Sequence, residues 1–291
     1  MAEKNYGEKN RTIKGALYLV GTPIGNLTDL SERAIKVLSE ADFIAAEDTR
    51  NSMRLLSHFG IHKPMISYFE HNKVARGEQI VERLKNGETC ALVTDAGMPA
   101  ISDPGEDIVR LCVENGITVT TVPGPCAAIT ALTLSGLSTS KFSFEGFLPA
   151  SKSERRAMLN ELANEHRTMI FYEAPHKLRN TLSDMALTFG EDRRMAICRE
   201  LTKLNEEILR VTVCEAIEHY EINEPRGEFV LIVEGRSTAS LSGFWENMSV
   251  EEHVIHYVKN GMSKNDAIKS AAKDRKVPKN DIYREVLDLN I

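Results

Sequence analysis

Four short stretches carry residue types from which chemistry can be built, and each follows a run of apolar residues. They are GTPIGN (21–26), EDTR (47–50), EHN (70–72) and VTDAGMPAISDPG (93–105). The last holds Asp95, Gly97, Pro99, Asp103, Pro104 and Gly105. A phosphate cradle offers backbone N–H groups and a lysine without competing carboxylates. This stretch has carboxylates and no lysine, so it suits a cationic, hydroxyl-bearing ligand. GTPIGN has neither GxGxxG spacing nor the lysine and Ser/Thr of a P-loop, and a plain turn is an equal reading. EDTR offers Glu47 and Asp48 as proton acceptors and Arg50 as an anion contact; the alternative is that Asp48 or Thr49 caps a helix starting near Asn51. His71 in EHN is a lone histidine, a type more often structural than catalytic. Gly97 permits positive φ or close approach to a ligand. Asp103, ahead of Pro104 and Gly105, reads as a helix N-cap.

Further candidates lie downstream. VPGPCAA (122–128) combines Gly124 with the small residues Cys126 and Ala127. That leaves room for a flat moiety or, equally, for tight helix–sheet packing. FYEA (171–174) and RELTK (199–203) bring Glu173, Arg199 and Glu200, with a salt bridge between domains as the alternative role. Lys152, Arg155 and Arg156, and the tail residues Lys269, Lys273, Arg275, Lys276 and Lys279, can meet phosphates or form solvated helix faces.

The elements that must position these loops follow from periodicity. Apolar runs at 16–21, 42–47, 64–69, 89–95 and 117–122 read as strands, separated by amphipathic patterns that read as helices. Asp29 and Ser31 can each cap the first helix, with Glu32 three residues after Asp29 as in a capping box. PCAAITALTLSGL is apolar almost all round and reads as a buried helix with proline in its first turn. Strand–helix alternation implies a parallel sheet covered on both faces, and ligands of such sheets bind at the carboxyl ends of the strands. The four loops therefore belong on one rim. FLPASKSERR (147–156) reads as a linker. A second alternating block follows, with strands at 168–174, 194–201 and 227–235, then a serine-rich stretch and a tail of three helices. The expected division is a disordered tail over 1–14, α/β domains over 15–140 and 141–238, and a helix-turn-helix-like extension over 239–291.

The 291 residues carry a formal charge of −6, so a nucleic-acid partner must be met by local basic patches. Five cysteines without CxxC spacing read as reduced thiols of a cytosolic protein, with no metal site expected. No apolar run is long enough to predict a membrane span.

Taken together, GALYLVGTPIGNLTDLSERA, AAEDTR, ALVTDAGMPAISDPG, VPGPCAAITAL, FEGFLP, RTMIFYEAPHKL, RELTK and GEFVLIVEG resemble the tetrapyrrole methylase superfamily, the class III S-adenosylmethionine-dependent methyltransferases. Within it, the chain is similar to the branch that acts on small-subunit ribosomal RNA. The resemblance spans nearly the whole chain; each motif alone is weak, and the combination is specific. It implies two α/β domains with S-adenosylmethionine in the cleft between them, a homodimer, and 2′-O-methylation of a cytidine ribose in the decoding centre of 16S ribosomal RNA. Carried onto this chain, it implies a cofactor site of Pro23, Asp95, Ala96, Gly97, Met98, Ile101, Ser102, Cys126, Ala127, Tyr172, Leu201 and Gly227. A ribose hydroxyl is a poor nucleophile, so a general base is expected among Glu47, Asp48, Glu173 and Glu200, with Glu47 first. Arg50 and Arg199 are expected to steer RNA or hold a carboxylate, and Lys152, Arg155, Arg156, Lys273, Arg275 and Lys276 to contact it. Two rival readings remain: a tetrapyrrole methyltransferase on the same fold, and a non-catalytic RNA-binding module.

Overall fold

The first five apolar runs become β1 (Leu17–Val20), β2 (Phe43–Ala46), β3 (Met65–Ser67), β4 (Cys90–Val93) and β5 (Val119–Val122). They form one sheet in the order β3-β2-β4-β1-β5, with every pairing parallel. The structure is a computed structural model that describes residues 11–236, 245 and 248–287. Most of the expected N-terminal tail and of the serine-rich linker lies outside the described residues.

The sheet is covered as parallel sheets must be. Tyr18, Val20, Ile44, Ala46, Ala91 and Val93 pack with α1 (Glu32–Glu40) and α2 (Thr49–His58) on one face. Leu17, Phe43, Ala45, Cys90 and Leu92 pack with α3 (Lys73–Lys85) and α4 (Gly105–Glu114) on the other. Of the two caps the sequence offers for α1, one is used. The cap of α1 is Ser31, whose hydroxyl accepts from Ala34 N–H at 3.1 Å, whereas Asp29 ends a short 3-10 turn (Leu27–Asp29).

The second block forms a mixed sheet of β6 (Phe142–Phe147), β7 (Thr168–Glu173), β8 (Arg194–Arg199), β9 (Glu207–Thr212) and β10 (Phe229–Val233), in the order β6-β7-β10-β8-β9. β6 is parallel to β7; β10 runs antiparallel to both β7 and β8, and β8 to β9. The residues read as a linker begin inside this sheet. FSFEGF is an edge strand, irregular between Phe144 and Gly146, and only Gly146 of its six residues is buried. Such a strand lacks the clean alternation that announces a half-buried one. α6 (Lys152–Glu161), α7 (Leu178–Phe189) and α8 (Val213–Ile222) bury one face. The other face is covered by α5 (Ala127–Leu134), whose Ala128, Ala131 and Leu132 meet Ile170, Ala196, Val230 and Ile232, together with Ile24 and Leu201. α5 starts at Ala127 with Cys126 at its cap, so Pro125 precedes the helix instead of filling its first turn.

Between α6 and α7 lies a buried charge cluster. Asp184, 2% exposed, binds Arg155 at 2.7 Å and Arg156 at 2.6 Å, and Arg155 is itself 5% exposed. Burial alone would raise the Asp184 carboxyl, but hydrogen bonds from Arg156 and Arg155 outweigh it and hold the carboxyl below its ordinary value. Asp184→Ala leaves Arg155 buried and unpaired, and is expected to cost about 3–5 kcal/mol, read from urea unfolding. Because the folded-state pKa is depressed, the stabilisation is complete above the unfolded carboxylate range and lost as pH falls through the folded value. The gap between wild type and variant should therefore narrow on acidification. Arg155 is thus no surface phosphate contact, and Arg156 is engaged by the same carboxylate.

The described residues fall into two compact units divided after Glu234. The second holds α9 (Val250–Lys259), α10 (Lys264–Arg275) and α11 (Lys279–Glu285) around Val254, Ala267, Ile268, Ala271, Ile282 and Val286. Arg275 donates to the carbonyls of Trp245, Met248 and Ser249 and to His253 Nδ1. It ties this unit together, which corrects its expected RNA contact; Lys273 and Lys276 remain exposed. No described helix is long and apolar enough to cross a membrane.

Candidate active site

Parallel pairing puts the carboxyl ends of β1 to β5 on one rim. β7 and β8 run together, both opposed to β10, so their last residues Glu173 and Arg199 pair with Phe229 at the start of β10. These two rims enclose a cleft of about 400 Å³, a size typical of small-molecule sites. Its walls include Glu47, Thr94, Ala96, Gly97, Met98, Ile101, Ser102, Asp103, Cys126 and Ala127 from the first half, and Phe147, Tyr172, Glu173, Leu201 and Val230 from the second.

The first wall is shaped by close backbone approach. Thr22 and Gly97 form an isolated antiparallel bridge, with N···O distances of 2.9 and 3.1 Å and Gly97 at φ 87°. Beneath it the loops leaving β1 and β5 touch. A Cβ on Gly21 would lie 2.7 Å from Gly124 Cα and 2.8 Å from Met98 Sδ. Ala100 and Ser102 sit at φ 68° and 62°, while Glu200 and Thr202 across the cleft sit at 50° and 65°. Strained backbone of this kind persists where surrounding contacts over-determine it, and it gathers at functional sites. Asp103 braces the loop: its Oδ1 accepts from Ala100 N–H and Gly105 N–H at 2.9 and 2.7 Å.

The carboxylates differ sharply. Glu47 faces the cleft and accepts one hydrogen bond from Thr94 Oγ1 at 3.1 Å. Burial raises its carboxyl above the ordinary value; the Thr94 bond opposes this, and the charges of Asp95, Asp103 and Asp48 raise it further. Asp48 caps α2 and holds Arg50 with two side-chain hydrogen bonds at 3.1 and 2.8 Å. The Arg50 hydrogen bonds bring its pKa down to about 2, which makes it a poor base. Glu173 is buried, its Oε2 accepting from Thr181 Oγ1 at 2.5 Å and its Oε1 from Ala174 N–H at 2.8 Å. Glu200 accepts from Lys203 Nζ at 2.9 Å and Glu228 N–H at 3.0 Å. Burial works against its ionisation, and the Lys203 and Glu228 bonds prevail to lower its pKa.

Of the expected cofactor residues, Ala96, Gly97, Met98, Ile101, Ser102, Cys126, Ala127, Tyr172 and Leu201 line this cleft; Pro23, Asp95 and Gly227 do not. Pro23 lies between the bridged Thr22 and the cleft-lining Ile24. Asp95 turns towards α2, accepting from Asp48 N–H at 3.3 Å and Asn51 Nδ2 at 3.1 Å. Gly227, at φ 86°, makes room for Glu200: a Cβ there would fall 2.6 Å from Glu200 Oε1. Arg199 forms a 2.9 Å ion pair with Glu207, and His71 is exposed outside the cleft walls. Ile24, Thr94, Phe147, Pro175 and Glu228 were not anticipated. Ile24, Phe147 and Pro175 carry no chemical signature, and only their place beside the strand ends marks them.

An S-adenosylmethionine-sized ligand fits these walls. Small residues and Gly97 offer a flat surface with backbone groups, Tyr172, Leu201 and Val230 offer apolar contact, and Glu47 and Asp103 suit a cation.

Residues 16–217 match the family model described as Tetrapyrrole (Corrin/Porphyrin) Methylases. The chain is 50% identical over 277 residues to "Ribosomal RNA small subunit methyltransferase I" of Halalkalibacterium halodurans, covering 94% of this chain and 96% of the relative. It is 46% identical over 286 residues to the protein of the same name from Bacillus subtilis, covering 97% and 98%. Among solved structures, a cobalt precorrin-4 methyltransferase aligns with TM-score 0.58 at 16% identity, over 76% of this chain and 95% of the other. A diphthine synthase aligns with TM-score 0.58 at 13% identity, over 76% and 90%. These two likenesses concern the fold.

Proposed function

This chain belongs to the tetrapyrrole methylase family, in the group of its ribosomal RNA small subunit methyltransferase I relatives, and we propose that it methylates a ribose 2′-hydroxyl of a cytidine in 16S ribosomal RNA with S-adenosylmethionine. The observation that carries the chemistry is Glu47: a carboxylate on the cleft wall, without a cationic partner among its hydrogen bonds, and with a raised pKa. The nature of the RNA substrate is supported by the names of the relatives, which match nearly end to end.

In this reading Ala96–Met98, Ile101, Ser102, Cys126, Ala127, Tyr172 and Leu201 hold S-adenosylmethionine, which supplies an electrophilic methyl group when bound. Glu47 Oε1 or Oε2 takes the proton of the attacking hydroxyl. Thr94 orients Glu47, and the Asp95–Asn51 and Asp95–Asp48 bonds hold the start of α2 against the cofactor loop. Positioning of the hydroxyl against the methyl donor supplies much of the remaining acceleration.

Transfer of labelled methyl from S-adenosylmethionine to small ribosomal subunits, free 16S RNA and a porphyrinogen tests the reading. Label in the cytidine ribose of either RNA substrate is expected; label in the porphyrinogen alone, or in nothing, overturns it. The same reading includes a homodimer, which a monomeric mass in light scattering would overturn.

Lys273 and Lys276 are exposed in the second unit and serve here as phosphate contacts. Replacing both by alanine is expected to weaken RNA binding across sequences and to reduce the salt slope by about one for each lysine. Titration of RNA binding against salt checks this, and cofactor affinity should not change.

A further inference from the structure

Phe147 ends β6 on the rim of the second half and is 56% exposed, although it lines the cleft. A single exposed apolar side chain is ordinary on a protein surface; what sets Phe147 apart is that it stands on the cleft wall. Its ring is held against Tyr172, with centroids 5.4 Å apart and planes at 56°, and Tyr172 is held in turn by Phe144 at 5.1 Å. The facing loop is close: a Cβ on the neighbouring Gly146 would lie 3.4 Å from Ser102 Oγ. Phe147 thus stands where the cofactor loop meets the second half, as a supported ring with exposed surface. Lys152 opens α6 just beyond it, and Lys177 caps α7 just beyond Glu173, so the same rim carries cations.

We infer that Phe147 is the platform on which the base of the target nucleotide stacks while its ribose enters the cleft. Sequence-specific RNA readers splay single-stranded bases onto aromatic side chains in this way, because the target must leave its own stack to be reached. A pyrimidine offers the flat apolar face that an exposed phenyl ring lacks, and the phosphodiesters on either side of it suit Lys152 and Lys177. Phe147 is in this sense a positioning and specificity-determining residue; it moves no proton. The inference rests on the RNA-methylation reading above.

Because Phe147 is exposed, Phe147→Ala should fold normally, which the unfolding midpoint verifies. Single-turnover methylation of small subunits is expected to show RNA affinity roughly tenfold or more weaker, with calorimetric affinity for S-adenosylmethionine unchanged. Phe147→Trp and Phe147→Tyr should restore binding, whereas Phe147→Leu, similar in hydrophobicity but without a π face, should not. Wild-type RNA affinity in Phe147→Ala, or rescue by leucine, overturns the platform while leaving RNA methylation intact. A selective loss of cofactor affinity also overturns it and makes the ring a cofactor wall. Absence of RNA methylation by the wild-type protein overturns both readings together.

Discussion

Replacing Glu47 by glutamine is expected to slow single-turnover methyl transfer by about 10²- to 10⁴-fold, with cofactor affinity preserved. Glutamine keeps the shape of the side chain and can still meet Thr94, but it cannot take a proton. The competing carboxylates are engaged more fully: Asp48 by Arg50, Glu200 by Lys203, and buried Glu173 through both oxygens, by Thr181 Oγ1 and Ala174 N–H. The effect should not come from unfolding. Burial and the neighbouring Asp95, Asp103 and Asp48 raise the Glu47 carboxyl in the folded protein, so its ionisation opposes folding as pH rises, and glutamine removes that cost. The pH profile provides an independent check. Wild-type rate should fall as pH drops through a value above the ordinary glutamate range, and that limb should vanish in Glu47→Gln. Equal single-turnover rates for the two proteins would exclude Glu47 as the base.

The second large effect is structural and acts on the site from beneath. Gly124→Ala is expected to destabilise the protein by about 1–3 kcal/mol and to weaken cofactor binding. The added Cβ would fall 2.8 Å from Gly21 Cα and 3.0 Å from Gly21 C and O. Those are backbone atoms of the β1 exit, and no rotamer change moves them aside. Separating the two loops would disturb Met98, which rests on Gly21, and the Thr22–Gly97 bridge that sets the cofactor loop. Urea unfolding and calorimetry should therefore move together. A variant with wild-type values in both would show that the loops part freely.

Much of this architecture was legible before any coordinates. Continuous apolar runs such as FIAA and CALV mark strands buried on both faces, and the loops that follow parallel strands must share a rim. Nine of the expected cofactor residues consequently fall on one cleft. The three tail helices were legible as an alternation of helix and turn; Ser249 and Ser263 cap the first two, and the third follows Pro278. β6 was not, because an exposed, irregular edge strand has no clear period, and its Phe147 has no chemical signature.

What the linear chain determined by itself, then, was which residues reach the rim, since local hydrophobic pattern decides where strands end. Which of those residues face the cleft was decided by tertiary pairing. Asp95 turned to α2, Glu200 to Lys203 and Arg155 to Asp184, while Glu47 kept only a hydroxyl partner. A buried or crowded charge is costly unless another group compensates it. That group can lie tens of residues away, as Asp184 lies from Arg155 and Asp95 from Asn51, and no local pattern reports it.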